Sequence, residues 1–198
     1  MTMMRQRKIA LIALQETKLT EKDKEIIEKE NPGLALESNP NNSKAGTAFA
    51  INKDIVKWEK QEGRPWKHVA IEKGRISKIK LEWNDYKMTI INIYMPNTKT
   101  DKIETIKKLR NYLESDQQDN NLLLVGDFNF ITDEQDRSPP HADDPGLTNE
   151  RNKLEIDNDL VDGWRSSHMN DRQFTYAQAN SLGRIDRMYA VRNMLKDC

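Results

Sequence analysis

Short apolar runs set between charged and turn-forming residues predict the strands of this chain. Residues 8–15 form an apolar run too short for a capped helix, which indicates a buried strand. Residues 121–125 are apolar on both faces, as expected for a strand inside a sheet that is covered on each side. The same reasoning predicts further strands over 46–52, about 67–72, 75–83, 86–93, 173–177 and 184–190. Turn signals at Lys73-Gly74 and Asn84-Asp85 indicate a meander in the middle of this series.

Three helices are predicted between the strands. Thr20 is the expected N-cap of a charged helix over about 21–30, which Asn31-Pro32-Gly33 ends. Thr100 is the expected N-cap of a second helix over about 101–116, and a third helix is predicted over about 149–158. The second helix carries Ile103, Ile106, Leu109 and Leu113 along one side, and a long polar loop over about 131–147 precedes the third. Strand runs broken by isolated helices predict one α+β or layered α/β domain over residues 1–198.

Composition favours a folded domain with a heavily charged surface. The 32 Lys and Arg residues balance 32 Asp and Glu residues, and Leu, Ile, Val and Phe supply only about a fifth of the chain. The first hundred residues carry the basic excess and the rest the acidic excess, which allows one basic face and one acidic pocket. No apolar run approaches the roughly 18 residues of a membrane span. The single cysteine, Cys198, excludes an intrachain disulfide and fits an intracellular compartment.

The strongest candidate for chemistry is Gly126-Asp127-Phe128-Asn129, directly after the buried strand. Side chains two residues apart on an extended segment point the same way, so Asp127 and Asn129 share a face at the strand end. Strand ends of buried sheets are common ligand sites, and Gly126 permits a close approach. Asp and Asn are also frequent in turns for purely conformational reasons, so a polar turn is the alternative interpretation.

Three other polar groups end or interrupt strands. Glu16, in Gln15-Glu16-Thr17, could bind a hard divalent cation or simply face solvent. Tyr94 and Asn97, in Tyr94-Met95-Pro96-Asn97, are neutral donors suited to phosphate oxygens, although a Pro-Asn turn explains them equally well. In Arg184-Ile185-Asp186-Arg187 a carboxylate lies between two guanidinium groups, a pattern typical of a surface ion-pair cluster.

Taken together and in this order, the four groups resemble the endonuclease/exonuclease/phosphatase superfamily. This superfamily includes abasic-site (AP) endonucleases and the endonuclease domains of non-LTR retrotransposons, and the retrotransposon branch is the nearest likeness. Gln15-Glu16-Thr17 is similar to the metal-binding glutamate motif of the superfamily, and residues 92–97 are similar to its Tyr-x-Pro-Asn segment. Gly126-Asp127-Phe128-Asn129 matches its Gly-Asp-[Phe/Leu]-Asn motif, and Arg184-Ile185-Asp186 matches its Arg-Ile-Asp motif.

The resemblance implies a fold and a set of roles. The fold would be a four-layer sandwich, with two mixed β-sheets packed face to face and flanked by helices. Glu16 would bind Mg²⁺ or Mn²⁺, and Asp127 would orient or deprotonate the attacking water. Asn129 and Tyr94 would hold phosphate oxygens, with Asn97 and Arg184 contacting phosphate or substrate. Asp186 would orient a histidine.

The implied function is metal-dependent hydrolysis of DNA phosphodiesters in the nucleus, by a monomer or by part of a larger polyprotein that contains a reverse transcriptase. The alternatives are a non-catalytic remnant that at most binds nucleic acid or a partner, and a phosphatase of the same superfamily.

The sequence departs from the superfamily pattern at both ends. The first strand, which carries a catalytic Asn, and the closing Asp-His pair have no counterpart in residues 1–198. The three histidines, His68, His141 and His168, fit structural positions better than catalysis. Loss of one member of a cooperating catalytic set costs about three orders of magnitude in rate. We therefore expect weak or absent catalysis, and marginal stability from exposed sheet edges.

Overall fold

The computed structural model describes residues 2–31, 33–37, 45–52, 54–56, 66–83, 86–116 and 121–195. These residues divide into two compact units, Met1–Tyr94 and Met95–Cys198. None of the helices in the described ranges combines the length and the apolar character that a membrane span requires.

Among its described residues, the first unit contains two antiparallel three-stranded arrangements and two helices. In chain order its elements are α1 (Thr2–Gln6), β1 (Leu11–Gln15), α2 (Glu21–Glu30), β2 (Leu34–Glu37), β3 (Thr47–Ile51), β4 (Trp66–Glu72), β5 (Ile76–Trp83) and β6 (Tyr86–Tyr94). One arrangement has the order β1-β3-β2 and the other runs β4-β5-β6.

The two arrangements of the first unit pack on each other through fully buried side chains. Phe49 of β3 and Ile79 of β5 are completely buried, as is Ile91 of β6. Between the layers, the hydroxyls of Thr47 and Ser77 form a buried hydrogen bond of 2.8 Å. This bond satisfies two polar groups that would otherwise cost free energy inside the core.

In the part that the structure describes, the second unit contains a three-stranded antiparallel arrangement, a small sheet and three helices. Its elements are α3 (Lys99–Ser115), β7 (Leu122–Asp127), a 3-10 turn (Glu134–Asp136), β8 (Arg137–Ser138), α4 (Pro145–Asp157), β9 (Leu160–Asp162), α5 (Gly163–Ser167), β10 (Tyr176–Gln178), β11 (Ser181–Gly183), β12 (Asp186–Val191) and a 3-10 turn (Arg192–Leu195). Strand β12 lies between β7 and β9, and β11 lies between β10 and β8.

Helices α3 and α4 lie against each other. On α3, Ile106, Leu109 and Leu113 are buried, as their helical spacing predicted, and Ile103 of the same predicted side is half-buried. At the edge of this contact the guanidinium of Arg110 bonds to the carboxylates of Glu150 and Asp157.

The structure confirms most of the predicted elements and corrects several bounds. Helix α2 has the predicted range and the predicted cap, Thr20, which forms a capping box with Asp23. Helix α3 is capped by Thr98 and not by Thr100, and α4 begins four residues earlier than predicted because Asp144 caps it and proline is favourable in a first turn.

The predicted strand over 173–177 is replaced by the hairpin β10–β11. Strand β2 lay outside the prediction. The predicted turn at Asn84-Asp85 and the Pro32 helix stop lie outside the described residues.

Candidate active site

In the first unit, Glu16 and Tyr94 meet at neighbouring strand ends. Glu16 follows β1 directly, and Tyr94 is the last residue of β6. The Tyr94 hydroxyl donates to Glu16 Oε1 at 2.8 Å, and the Lys18 ammonium lies 3.3 Å from Glu16 Oε2. Glu16 and Tyr94, each chosen as a candidate because it ends an apolar run, therefore lie side by side.

Buried Asn92 fixes the strand ends that carry these two residues. Its side-chain amide donates to the main-chain carbonyls of Leu14 and Ala48, and its Oδ1 accepts from Gln15 Nε2 at 2.6 Å. One side chain of β6 thus joins β1 and β3 immediately before Glu16. Because the amide is fully buried, its bonds strongly favour this one arrangement of the strands.

The contacts of Glu16 and Tyr94 act on the pKa of both groups. The hydrogen bond from Tyr94 is the largest cause that lowers the pKa of Glu16, and Lys18 adds to it. Burial, followed by the neighbouring Glu16 carboxylate, raises the pKa of Tyr94. The Arg75 guanidinium carbon lies 4.6 Å from the centre of the Tyr94 ring. At neutral pH the pair is therefore an ionised carboxylate and a protonated phenol.

The Glu16 group fits a hard divalent cation that keeps most of its water. Its carboxylate is ionised and half-exposed, with 49% of the side chain accessible. Mg²⁺ binds through one or two carboxylates and retains several waters, so a single glutamate is a sufficient protein anchor. Within the described ranges no group of three or more His, Cys, Asp or Glu side chains forms a closed metal cage.

In the second unit, Asp127 and Asp186 are direct partners on adjacent strands. They face each other in the antiparallel register of β7 and β12. Immediately beyond them, the Phe128 N–H donates to the Ile185 carbonyl at 2.9 Å. The motif that ends β7 and the motif that opens β12 therefore lie side by side.

Asn129 is held by its main chain and by its side chain. Its N–H donates to Asp127 Oδ1 at 2.9 Å, and its Nδ2 donates to the Met95 carbonyl at 2.8 Å. The Met95 N–H in turn donates to the Asp127 carbonyl at 2.8 Å. Asn129 has a φ of 50° and Gly126 a φ of 137°, so the segment turns sharply at both ends.

Asn97 lies exposed next to this segment of the chain. It precedes Thr98, the N-cap of α3, and follows buried Pro96. Its exposure leaves the side chain accessible to a substrate, although the structure gives it no anchoring contact comparable with those of Asn129.

Solved structures of two known proteins share the fold of this chain. An AP endonuclease from Archaeoglobus fulgidus superposes with a TM-score of 0.74 over 98% of this chain and 81% of that chain, at 16% identity. An AP endonuclease from Leishmania major gives a TM-score of 0.76 over 98% of this chain and 73% of that chain, at 15% identity. The chain has the fold of the AP endonucleases. This confirms the predicted fold class and the predicted resemblance.

A curated transposon protein shares sequence with the chain. The uncharacterised 149 kDa protein of transposon TX1 from Xenopus laevis is 29% identical over 126 residues, which cover 62% of this chain and 10% of that protein. The chain thus spans about a tenth of the length of this relative. The match agrees with the predicted likeness to retrotransposon endonuclease domains. No protein-family model matches the chain.

Within this AP endonuclease fold, the two arginines of the last motif are buried and not on the surface. Arg184 is 3% exposed, and its guanidinium bonds to both oxygens of Asp136 and both oxygens of Asp162. Arg187 donates to the Arg184 carbonyl at 2.7 Å. The alternative interpretation, a surface ion-pair cluster, therefore does not describe the two arginines, because the acids that neutralise them come from distant parts of the chain.

Asp136 is the residue that the sequence analysis missed. It is 1% exposed and also bonds to Arg165, so it receives two guanidinium groups. The sequence predicts that Arg184 contacts substrate. In the structure its guanidinium is instead taken up by hydrogen bonds to Asp136 and Asp162. The sequence indicates Asp136 only indirectly. Arg184 and Arg187 flank a predicted strand, and buried arginines require acidic partners elsewhere in the chain.

The histidines have local contacts. His68 lies on β4 with its ring edge-on to Phe49, His141 Nδ1 contacts the Pro139 carbonyl at 3.0 Å, and His168 stacks on Trp164. These contacts agree with the structural positions that the sequence predicted.

Proposed function

We propose that this chain is a divalent-metal-dependent phosphodiester hydrolase that cleaves DNA, with low activity as the 198-residue chain. The observation that carries the proposal is the direct pairing of Asp127 with Asp186, with Asn129 anchored two residues further on. Two carboxylates and a neutral donor at one strand end can activate water and hold a phosphate.

Asp127 and Asn129 would act on the nucleophile and on the phosphate. Asp127 would orient or deprotonate the attacking water. The Asn129 amide has a second N–H besides the one that bonds to Met95, and this N–H would donate to a non-bridging oxygen. A donor that is already fixed costs little reorganisation as negative charge develops on the phosphate.

In the first unit, Glu16 would hold Mg²⁺ or Mn²⁺. The single O–H of Tyr94 donates to Glu16 in this structure, and it would turn to a phosphate oxygen once the carboxylate binds the cation. The bound cation would supply stabilisation of negative charge on the phosphate. Because the raised pKa of Tyr94 keeps its phenol protonated, it stays a donor across the neutral range. Asn97 is assigned a substrate contact on the basis of the motif resemblance. Arg184 is 3% exposed and neutralised by Asp136 and Asp162, so it would support the site from the core and not touch substrate.

The proposed low activity follows from the proton that the leaving oxygen needs. Asp186 is exposed and would orient a proton donor, but the three histidines are engaged in the local contacts described above. Solvent would then protonate the leaving group. Loss of one cooperating group costs about three orders of magnitude, so we expect slow turnover.

The proposed substrate and setting rest on the motif resemblance, and the AP endonuclease fold and the transposon relative support the choice of DNA and of a larger polyprotein. We propose that DNA is the substrate, that the chain acts in the nucleus as a monomer, and that it belongs to a polyprotein that includes a reverse transcriptase.

The test is strand cleavage by purified protein. Supercoiled plasmid and an abasic-site duplex are incubated with wild type in Mg²⁺, Mn²⁺ or EDTA, beside Asp127→Ala. We expect slow metal-dependent nicking that Asp127→Ala abolishes. The matched control is Asp171→Asn, an exposed aspartate in a loop, which should nick at the wild-type rate.

Two other results would contradict the proposal. Nicking that persists in Asp127→Ala indicates a contaminating nuclease. If wild type does not nick but binds duplex DNA in a salt-dependent manner, the chain is a binding remnant and not a hydrolase.

A further inference from the structure

Lys102 is half-buried on α3, whereas Lys99, Lys107 and Lys108 on the same helix are exposed. Lysine normally keeps its ammonium in water, so partial burial requires compensation. Here the Lys102 ammonium donates to the main-chain carbonyl of Asn129 at 2.5 Å. This contact joins helix α3 to the residue that is proposed to hold a phosphate oxygen.

Charged groups of both signs surround Lys102. Burial lowers the pKa of Lys102 and Arg137 acts in the same direction, whereas the carboxylates of Asp143 and Asp127 act in the opposite direction. The hydrogen bond to the Asn129 carbonyl compensates for part of the burial of the ammonium.

The Lys102 contact completes the anchoring of Asn129. Asp127 holds its N–H, Met95 holds its side-chain amide, and Lys102 holds its carbonyl. The backbone of Asn129 lies in the left-handed region, with a φ of 50°. Residues other than glycine adopt this region at some cost, although asparagine does so more readily than most. These three hydrogen bonds together fix the direction of the remaining N–H of the Asn129 side chain, the one that does not bond to Met95.

We propose that Lys102 is a positioning residue that acts through Asn129, holding it in the conformation that the phosphate contact requires. This inference rests on the proposed function and extends it to a residue outside the predicted motifs. The competing explanation is that Lys102 only ties α3 to the loop and contributes stability.

A double-mutant cycle on turnover separates the two explanations. The variants are Lys102→Met, Asn129→Ala and the double variant, with Lys102→Arg as the conservative change. We expect Lys102→Met to lower kcat about 10- to 100-fold, since small misplacements of a catalytic group have effects of that size. In the Asn129→Ala background the same change should cost less than about threefold, because both changes remove one interaction.

Lys102→Arg keeps a donor and should recover part of the lost kcat. The matched control, Lys108→Met, removes an exposed lysine that pairs with Glu104, and should leave kcat unchanged. If the effects of Lys102→Met and Asn129→Ala multiply, Lys102 does not act through Asn129 and the inference is overturned. An unchanged kcat in Lys102→Met overturns it equally.

A second measurement does not depend on catalysis. In ¹⁵N spectra the Asn129 side-chain amide is assigned by its loss in Asn129→Ala. We expect its signals to shift in Lys102→Met and to stay in place in Lys108→Met, with both variants folded by circular dichroism. If wild type proves inactive, the proposed function fails while this spectrum still decides whether Lys102 positions Asn129. An unmoved amide signal would refute the inference.

Discussion

The Tyr94 hydroxyl donates to the Glu16 carboxylate at 2.8 Å, although 78 positions of sequence separate the two residues. The bond lowers the pKa of Glu16, and burial together with Glu16 raises the pKa of Tyr94. Tyr94 thus helps to keep Glu16 ionised, as a cation site requires, and Glu16 helps to keep Tyr94 protonated. The relationship is local to one unit and depends on Asn92, which fixes both strand ends.

Tyr94→Phe should therefore raise the pKa of Glu16 toward its ordinary value, because the largest lowering cause is removed. It should also slow metal-dependent nicking by about 100-fold, the usual cost of losing one fixed donor to a developing oxyanion. The pKa is measured by ¹³C NMR of labelled glutamate carboxyls, and the rate by plasmid nicking.

The control for this prediction is Tyr112→Phe, which changes a tyrosine on α3 in the other unit. It should leave the titration of Glu16 unaltered. If Tyr94→Phe also leaves that titration unaltered, the hydrogen bond does not control the carboxylate in solution.

The N-cap of α3 allows a test with two neighbouring threonines. Thr98 accepts from the Asp101 N–H, whereas Thr100 is an exposed residue of the first turn. Thr98→Ala should lower the free energy of unfolding by about 1 kcal/mol, the usual cost of a lost cap. Thr100→Ala should change it by less than about 0.5 kcal/mol. Urea unfolding measures both, and equal losses would show that the cap contributes nothing specific.

The two caps show what the sequence could and could not predict. Thr20 was predicted correctly, and it is followed three residues later by Asp23, the pattern of a capping box. Thr98 is followed in the same way by Asp101, whereas Thr100 is followed by Ile103. The acidic residue three positions after a threonine therefore distinguishes the two candidates, and it indicates Thr98 as the N-cap.

The site residues were predictable to the extent that they end strands. Glu16, Tyr94 and Asp127 each follow an apolar run, so periodicity alone indicated their positions. Asp136 has no such signal, since it meets Arg184 across 48 positions of sequence within a polar loop. Contacts of that kind are decided by tertiary packing, which no local pattern reports.

Gly126→Ala should destabilise the protein and misplace the segment that follows. Gly126 has a φ of 137°, a conformation that a residue with a Cβ adopts only with strain. The expected loss is more than about 1 kcal/mol in the free energy of unfolding, together with a lower nicking rate. Gly163→Ala is the comparison, because that glycine begins α5 and an added Cβ would lie in ordinary contact, 3.5 Å from the Met188 carbonyl oxygen. A smaller loss in Gly126→Ala than in Gly163→Ala would contradict the conformational argument.

Asp136→Asn should be the most destabilising of these changes. Asp136 is 1% exposed and neutralises Arg184, so its removal leaves a buried guanidinium without its full complement of charge. Breaking a buried ion pair from one side costs about 3–5 kcal/mol. The comparison is Asp157→Asn, which breaks the more exposed pair with Arg110 and should cost about 1 kcal/mol or less.

Wild type and Asp136→Asn should also differ in how far acid lowers their free energy of unfolding. Burial acts to raise the pKa of Asp136, but the hydrogen bonds and charges of Arg184 and its neighbours outweigh it, so the pKa lies below the ordinary value of 3.8. A depressed pKa in the folded state stabilises the protein above the pKa of the unfolded chain, and this contribution is lost as the pH falls through the folded-state pKa. Wild type should therefore lose stability steeply below about pH 4, and Asp136→Asn should lose less over the same range. Urea unfolding of wild type, Asp136→Asn and Asp157→Asn at pH 7 and at about pH 3 measures the difference. An acid response of Asp136→Asn as steep as that of wild type would show that the carboxylate of Asp136 is not the group that titrates.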